Sequence, residues 1–403
     1  MYKDKIKRFD NRHKKLLELS DLPFLSEKLK KTKKKSVFTL GSFNLLNPGH
    51  CRYLADAKEM GDVLIAGVTS DFSEKIKDDQ YPLISEEIRK EMLAFLRVVD
   101  YVVTVDEKNP YDILLLLKPN IFVTTQKSWK DGIRTKNDLE VARMTKTKVV
   151  VREVVKPYFS TGQLVDHIAN IRVIQILEFY LKEKVKGFAL NPNEDLQPAD
   201  FGTQKPNIKG AFDPNPNIIG VEKLAEIRKR HQNKKISFVA GSFDLLHIGH
   251  ARFIEQAGLC GDILVVGVPS DAVIRYTKGV GRPIISERSR AYTLCHLDSV
   301  DYVVIFDGGT VMTCLETLKP DVFYTVSEEW NKGYKKSTEY KFVKSYGGDI
   351  VLGPRQAINT SSSAIIDKLA QKKVREIFKE CMDESKYLKI LQEQSKLKNG
   401  KKN

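Results

Sequence analysis

The chain has 403 residues, is 41% hydrophobic and 30% charged, and carries a formal net charge of +15. That size and balance suit a soluble protein with two separate cores and exclude a disordered or fibrous chain. Its five cysteines (Cys51, Cys260, Cys295, Cys314 and Cys381) are scattered without a Cys-x-x-Cys pair, so neither a disulfide framework nor a zinc ribbon is indicated. The charged N-terminus reads as no signal peptide, and no apolar run is long enough to cross a bilayer. The expectation is a cytoplasmic protein with reduced thiols.

The charge sits at the ends. Residues 1–35 hold 13 basic and 5 acidic side chains, and residues 371–403 hold 10 and 5. The two tails therefore carry most of the surplus, and the middle is near neutral. This distribution argues against a basic groove for nucleic acid in the core. The tails read as solvated helical faces in preference to RNA or membrane contacts, which stay open.

In chain order, residues 1–34 read as a basic extension and residues 35–186 as a first α/β domain. Its leading motif is Gly41-Ser42-Phe43-Asn44-Leu45-Leu46-Asn47-Pro48-Gly49-His50. Residues 187–220 are rich in Asn, Pro and Gly without an apolar period, and read as a linker. Residues 221–371 form a second domain, opened by a helix over 221–233. Strands are expected near 236–240, 263–268, 302–306, 322–326 and 349–352, with helices near 249–259, 286–298 and 310–318. Residues 372–403 read as a basic helical tail. Strand–helix alternation of this kind predicts a doubly wound, parallel-sheet (Rossmann-like) domain.

The second domain repeats the first. Gly241-Ser242-Phe243-Asp244-Leu245-Leu246-His247-Ile248-Gly249-His250 matches the leading motif at a shift of 200. Gly61-Asp62 pairs with Gly261-Asp262, Ser70-Asp71 with Ser270-Asp271, Ser85-Glu86 with Ser286-Glu287, and Val99-Asp100-Tyr101 with Val300-Asp301-Tyr302. Even the two tryptophans, Trp129 and Trp330, keep the register. A register held over this length marks a tandem duplication. The two copies are expected to pack as an intramolecular pseudo-dimer, with a homo-oligomer left open.

Each motif joins an apolar run to a helix through a glycine turn. Such a junction presents unpaired backbone N–H groups and a positive helix end to an anion. In the second copy two imidazoles, His247 and His250, flank Gly249. Asn359-Thr360-Ser361-Ser362-Ser363, before Ala364, has more polar residues than one helix cap needs, and reads as a second phosphate-binding helix start.

With these residues in view, the second copy resembles the His-x-Gly-His nucleotidyltransferases of the cytidylyltransferase-like group. It is similar to glycerol-3-phosphate cytidylyltransferases and heptose-1-phosphate adenylyltransferases, and the tandem layout resembles ethanolamine-phosphate cytidylyltransferase. The resemblance covers residues 234–370 well and 35–170 more loosely. It rests on the ten-residue motif, Lys278-Gly279, Arg282-Pro283, Arg290 and the late Ser/Thr cluster. It implies attack by a substrate phosphate on the α-phosphorus of a nucleoside triphosphate, with loss of pyrophosphate. In that scheme His247, His250 and Lys278 are catalytic. Gly241, Ser242, Phe243, Asp244 and Gly249 bind the nucleotide, as do Thr360, Ser361, Ser362 and Ser363; Arg355 fits the family arginine only with a one-residue shift. Lys278, Arg282 and Trp330, the last after Glu328-Glu329, contact the substrate. Mg²⁺ is implied by triphosphate chemistry, with no carboxylate cluster to name its ligands. The partners are then a nucleoside triphosphate and a phosphorylated alcohol or sugar. CTP is favoured; ATP with a sugar phosphate is the alternative, and a nucleotide-binding scaffold without turnover is a third reading. A class I aminoacyl-tRNA synthetase shares the His-Ile-Gly-His tetrad, but no Lys-Met-Ser-Lys-Ser-type loop or tRNA-binding domain accompanies it.

The first copy departs from the pattern. Asn47 replaces His247, Asn44 replaces Asp244, Lys77-Asp78 replaces Lys278-Gly279, and Tyr81 replaces Arg282, while His50, Lys77 and Arg89 remain. The expectation is a weakened or silent first copy that buttresses the second; the alternative is a second active site of different specificity.

Overall fold

The computed structural model describes residues 12–78, 82–106, 110–125, 135–152, 163–172, 175, 215–279, 281–308, 311–327, 333–354 and 364–371. The first copy has strands β1 (Leu16–Leu17), β2 (Ser36–Gly41), β3 (Val63–Thr69), β4 (Tyr101–Val105), β5 (Ile121–Thr125) and β6 (Lys148–Arg152). The second has β7 (Ile218–Gly220), β8 (Ile236–Ala240), β9 (Ile263–Pro269), β10 (Tyr302–Phe306), β11 (Val322–Val326) and β12 (Asp349–Gly353). The sheets run β1-β4-β3-β2-β5-β6 and β7-β10-β9-β8-β11-β12, with every pair parallel. These are two Rossmann-like α/β sheets of the same topology. In each, the chain winds outward from the strand before the motif, then crosses to that strand's other side. The order reverses between β8 and β11, and between β2 and β5. Ligand crevices in open parallel sheets lie beyond the strand ends at such reversals.

The strands are rich in Val, Ile and Leu because both faces are covered. In β2, Val37 faces a core shared by both copies while Phe38 faces an outer layer. In β8, Val239 and Phe238 divide in the same way. The shared core holds Leu54, Leu93 and Leu96 of the first copy with Ile254, Leu294 and Leu297 of the second. At its centre Leu96 and Leu297 form an antiparallel bridge. Arg97 N donates to His296 O and Asp298 N donates to Phe95 O, both at 2.9 Å. Equivalent residues exchange equivalent bonds, the signature of a two-fold contact.

The structure moves several boundaries. The first sheet begins inside the expected 1–34 extension, with β1 and the helix Leu22–Lys31, and the second begins inside the expected linker, with β7. Strands of two or three residues carry no readable period, and both exist through pairing with β4 and β10. Two residues of the basic extension are also spent inside the fold. Arg12 Nη1 donates to Glu255 at 2.5 Å and its guanidinium lies 4.4 Å from the Phe95 ring centre, while Lys15 Nζ donates to Leu96 O at 3.1 Å. The helix expected over 286–298 is Glu287–Cys295, because His296 and Leu297 leave it for the bridge. The helix expected over 221–233 is a 3₁₀ turn, Val221–Lys223, followed by Leu224–Arg230. The helices Asp271–Lys278 and Thr338–Ser345 had no expectation; each buries a single side chain, Ile274 or Val343. The tail 372–403 lies outside the described residues. Among the described residues, no helix is long and apolar enough to cross a membrane.

Candidate active site

β8 ends at Ala240, and the helix Ile248–Leu259 begins after seven intervening residues. Between them the backbone turns at Phe243, whose φ of 44° lies in the left-handed region, as Phe43 does in the first copy at 48°. The turn folds the Phe243 ring back over Gly241, where a Cβ would come within 2.9 Å of it. Glycine at 241 is therefore a packing requirement. Gly249 is buried as the second residue of the helix.

The turn is held from beneath by Arg290, which is 2% exposed. Its guanidinium donates to the carbonyls of Ser242, Pro269 and Ile285 and to Asp271 Oδ1, at 2.8 to 2.9 Å. In the first copy Arg89 does the same with Ser42, Ile84 and Asp71. Asp244 is equally buried. Its carboxylate accepts from Ile284 N and Ile285 N at 2.7 and 2.9 Å, and from Arg282 Nη1 at 2.8 Å. The structure thus commits Asp244 and Arg282 to each other and to the 281–285 turn. In the first copy Asn44 keeps one of these bonds, from Ile84 N at 3.1 Å.

His247 occupies the N-cap position without capping through its side chain. Its ring stacks on that of His250, with centres 3.7 Å apart, and Phe243 meets His250 edge-on at 5.3 Å. The Nδ1 atoms of both histidines are sealed from solvent and have no hydrogen-bond partner among the described residues. Leaving such a buried atom unmet costs about 1–3 kcal/mol; His50 Nδ1 in the first copy is sealed from solvent in the same way, so the added feature of the second copy is His247. Burial pushes the His247 imidazole down to about 4. Burial, then His247, then the Lys278 ammonium push His250 well below the usual range, opposed by the Leu245 carbonyl. Both rings are neutral near pH 7, each offering one N–H and no charge. The positive charge comes from Lys278, which ends the helix Asp271–Lys278 and donates from Nζ to Ser242 Oγ at 2.8 Å.

The first copy uses the same position differently. Asn47 is 2% exposed; its Oδ1 accepts from His50 N at 3.2 Å and its Nδ2 donates to Leu45 O at 3.1 Å. Asn47 is therefore a side-chain helix cap, with both ends engaged inside the fold. Burial pushes His50 down to about 4 as well.

A cavity of about 120 Å³ lies where the copies meet, lined by His247, Leu246 and Ile248 on one side and by Phe43, Asn44 and Met92 on the other. Arg355, Thr360, Ser361, Ser362, Ser363 and Trp330 lie outside the described residues. Sequence reasoning assigned no role to Arg89 or Arg290. The signal was present, since both arginines keep the repeat register while the histidine–asparagine position changes. Among the described residues no group of three His, Cys, Asp or Glu side chains is placed to hold a metal ion. The nearby carboxylates of Asp244 and Asp271 already accept from arginines, so these residues do not fit a protein-built Mg²⁺ cage.

The cytidylyltransferase-like family profile matches residues 38–187 and 238–368, well over half of the chain. The chain belongs to the cytidylyltransferase-like family. Membership places it among nucleotidyltransferase enzymes, as the motif led one to expect. The bifunctional protein HldE of Helicobacter pylori (strain Shi470) is 45% identical over 118 residues, which is 29% of this chain and 25% of that protein. HldE of Geobacter metallireducens is 41% identical over 153 residues, 38% of this chain and 30% of that protein. The chain thus spans about a quarter to a third of the length of these curated relatives. The crystal structure of the lipopolysaccharide core biosynthesis protein from Thermoplasma volcanium GSS1 aligns at 22% identity and a TM-score of 0.27, covering 30% of this chain and 98% of that one.

Proposed function

We propose that the second copy transfers an adenylyl group from ATP to a sugar phosphate of the heptose-1-phosphate kind, releasing pyrophosphate. The observation that carries this reading is the stacked His247–His250 pair at a helix start beside the Lys278 ammonium. CTP was the favoured nucleotide from sequence. The recurrence of HldE proteins among the relatives supports the adenylyl alternative better.

In this reading the substrate is the magnesium complex of the triphosphate, with the ion carried by phosphate oxygens. An oxygen of the acceptor phosphate forms a bond to the α-phosphorus. The bond from that phosphorus to the bridging oxygen breaks, and pyrophosphate leaves with the electron pair. The chain's part is positioning and charge stabilisation. The neutral imidazoles donate to α- and β-phosphate oxygens, and the backbone N–H groups opening the helix Ile248–Leu259 add a positive end. Lys278 balances the acceptor phosphate or the α-phosphoryl group. Gly249 keeps the helix start free of a side chain, and Gly241, Ser242 and Phe243 shape the turn. Asp244 and Arg282 fix the neighbouring loop that faces the acceptor. Thr360, Ser361, Ser362 and Ser363, with Arg355, take the β- and γ-phosphates, and Trp330 contacts the acceptor.

The first copy is a catalytically silent partner in this reading, and the copies act as an intramolecular pseudo-dimer. Engagement of Asn47 as a helix cap and the two-fold Leu96–Leu297 contact support it. The test is pyrophosphate release from ATP or CTP with a panel of phosphorylated sugars and alcohols. ATP with a sugar phosphate is expected to turn over. Release from CTP alone would return the nucleotide to the sequence-based choice. Tight binding of a triphosphate without release from any pair would make the chain a scaffold.

A further inference from the structure

Two elements beside the second copy's site are tied together through side chains of the first. Asp367, on the helix at 364–371, accepts from Arg172 Nε at 2.9 Å. Arg172 Nη1 in turn donates to Gln175 Oε1 at 3.4 Å. Gln175 lies against Gly281, where a Cβ would come within 2.7 Å of both Gln175 Nε2 and Ile171 Cγ2. Gly281 has a φ of +79° and sits between Lys278, which reaches Ser242, and Arg282, which reaches Asp244. Ile171 shares one apolar cluster with Ile284, Ile285 and Ile366. Lys368, next to Asp367, donates to Leu83 O of the first copy at 3.3 Å.

We infer that Arg172 and Gln175, both in the first copy, are positioning residues for the second copy's phosphate site; the inference rests on the nucleotidyl-transfer reading above. Asp244 pins one side of the 281–285 turn and the first copy closes the other, so the Lys278 ammonium is held at one distance from the imidazole pair. The Arg172–Asp367 pair is 39% and 49% exposed, a setting in which ion pairs add little stability. Its removal is expected to change placement and leave the folding midpoint unchanged.

The test uses the full chain with magnesium–ATP as the probe. Gly281→Ala adds both a left-handed strain and a collision with the first copy. Gly279→Ala adds strain alone, since Gly279 has a φ of +84° and nothing within 4 Å. Gly281→Ala is expected to weaken binding about tenfold, on the scale of such strain. Adding Gln175→Ala recovers part of that loss, and recovers nothing when added to Gly279→Ala. Arg172→Ala weakens binding and speeds hydrogen exchange at the Ile284 and Ile285 amides, and the exchanged pair Arg172→Asp with Asp367→Arg restores both. If Gly281→Ala fails to fold, the Arg172 series decides alone. Wild-type exchange and binding in Arg172→Ala, or equal recovery by Gln175→Ala in both glycine backgrounds, overturns the inference. Exchange is read without nucleotide, so the expected amide pattern in a wild type that ignores magnesium–ATP would overturn the functional reading and leave the positioning standing.

Discussion

The two copies share a topology, a braced motif turn and a mutual core, and they differ at a handful of polar positions around the motif. In the second copy the residue before the helix is His247, stacked on His250 with its Nδ1 unmet. In the first it is Asn47, with Oδ1 and Nδ2 both satisfied within the fold. The copies differ at this position: the second places there an imidazole whose Nδ1 is unmet among the described residues, while the first places an amide bonded at both ends. The Arg89 and Arg290 networks are nearly superimposable in their partners. A scaffold kept in both copies, under a surface altered in one, separates what the fold needs from what can change upon it.

The sharpest way to break that separation is through the loop anchor. Asp244→Ala removes a buried acceptor of three bonds and strands the Arg282 charge, and is expected to cost about 3–5 kcal/mol of stability. Asn44→Ala loses one described bond and should cost about 1 kcal/mol. Denaturant titration of both variants measures the gap, and equal losses would mean that the two loops are held alike. Next comes turnover. His250→Ala is expected to lower pyrophosphate release by about 10²–10³, the scale for one donor to a transition-state oxygen, whereas His50→Ala should leave it near wild type. A larger loss from the His50 change would transfer the chemistry to the first copy.

Acid sharpens the comparison in another way. His50 and His247 are pushed down to about 4, against an unfolded value near 6.5. Between those values the unfolded chain binds protons that the folded chain refuses, so stability rises with pH across the window and is lost as pH falls through it. Each of the two should contribute on the order of 3 kcal/mol at most, and His250 acts in the same direction. Thermal midpoints from pH 7 down to pH 4 should fall steeply, and less steeply in His247→Asn. A midpoint flat over that range would mean that the rings take up protons in the folded chain as they do in the unfolded one. The smallest expected effect is at the first copy's cap: Asn47→Ala should cost about 1 kcal/mol with turnover unchanged.

Much of this was readable from the chain. The five strands expected in the second copy fall within a residue or two of β8 to β12, because each is a short apolar run buried on both faces. The duplication could be read from register alone. The edge strands β1 and β7 were illegible, since two or three residues hold no period and their reason to exist is a partner some 85 residues away. The role of Asp244 was illegible for a related reason. A carboxylate in a phosphate-binding motif invites a ligand, and only the folded chain brings Arg282 and two backbone N–H groups to it. The cross-copy line from Asp367 to Gly281 joins residues far apart in sequence that no motif connects.

The reciprocal bonds around Leu96 and Leu297 have a consequence for how such a duplicated chain behaves. Two separate subunits meeting through this contact would part on dilution, whereas a tether fixes the local concentration of one half about the other. Pairing here is therefore indifferent to abundance in the cell. Each half is kept within reach of the other, and losing one would cost its neighbour a wall of the shared cavity.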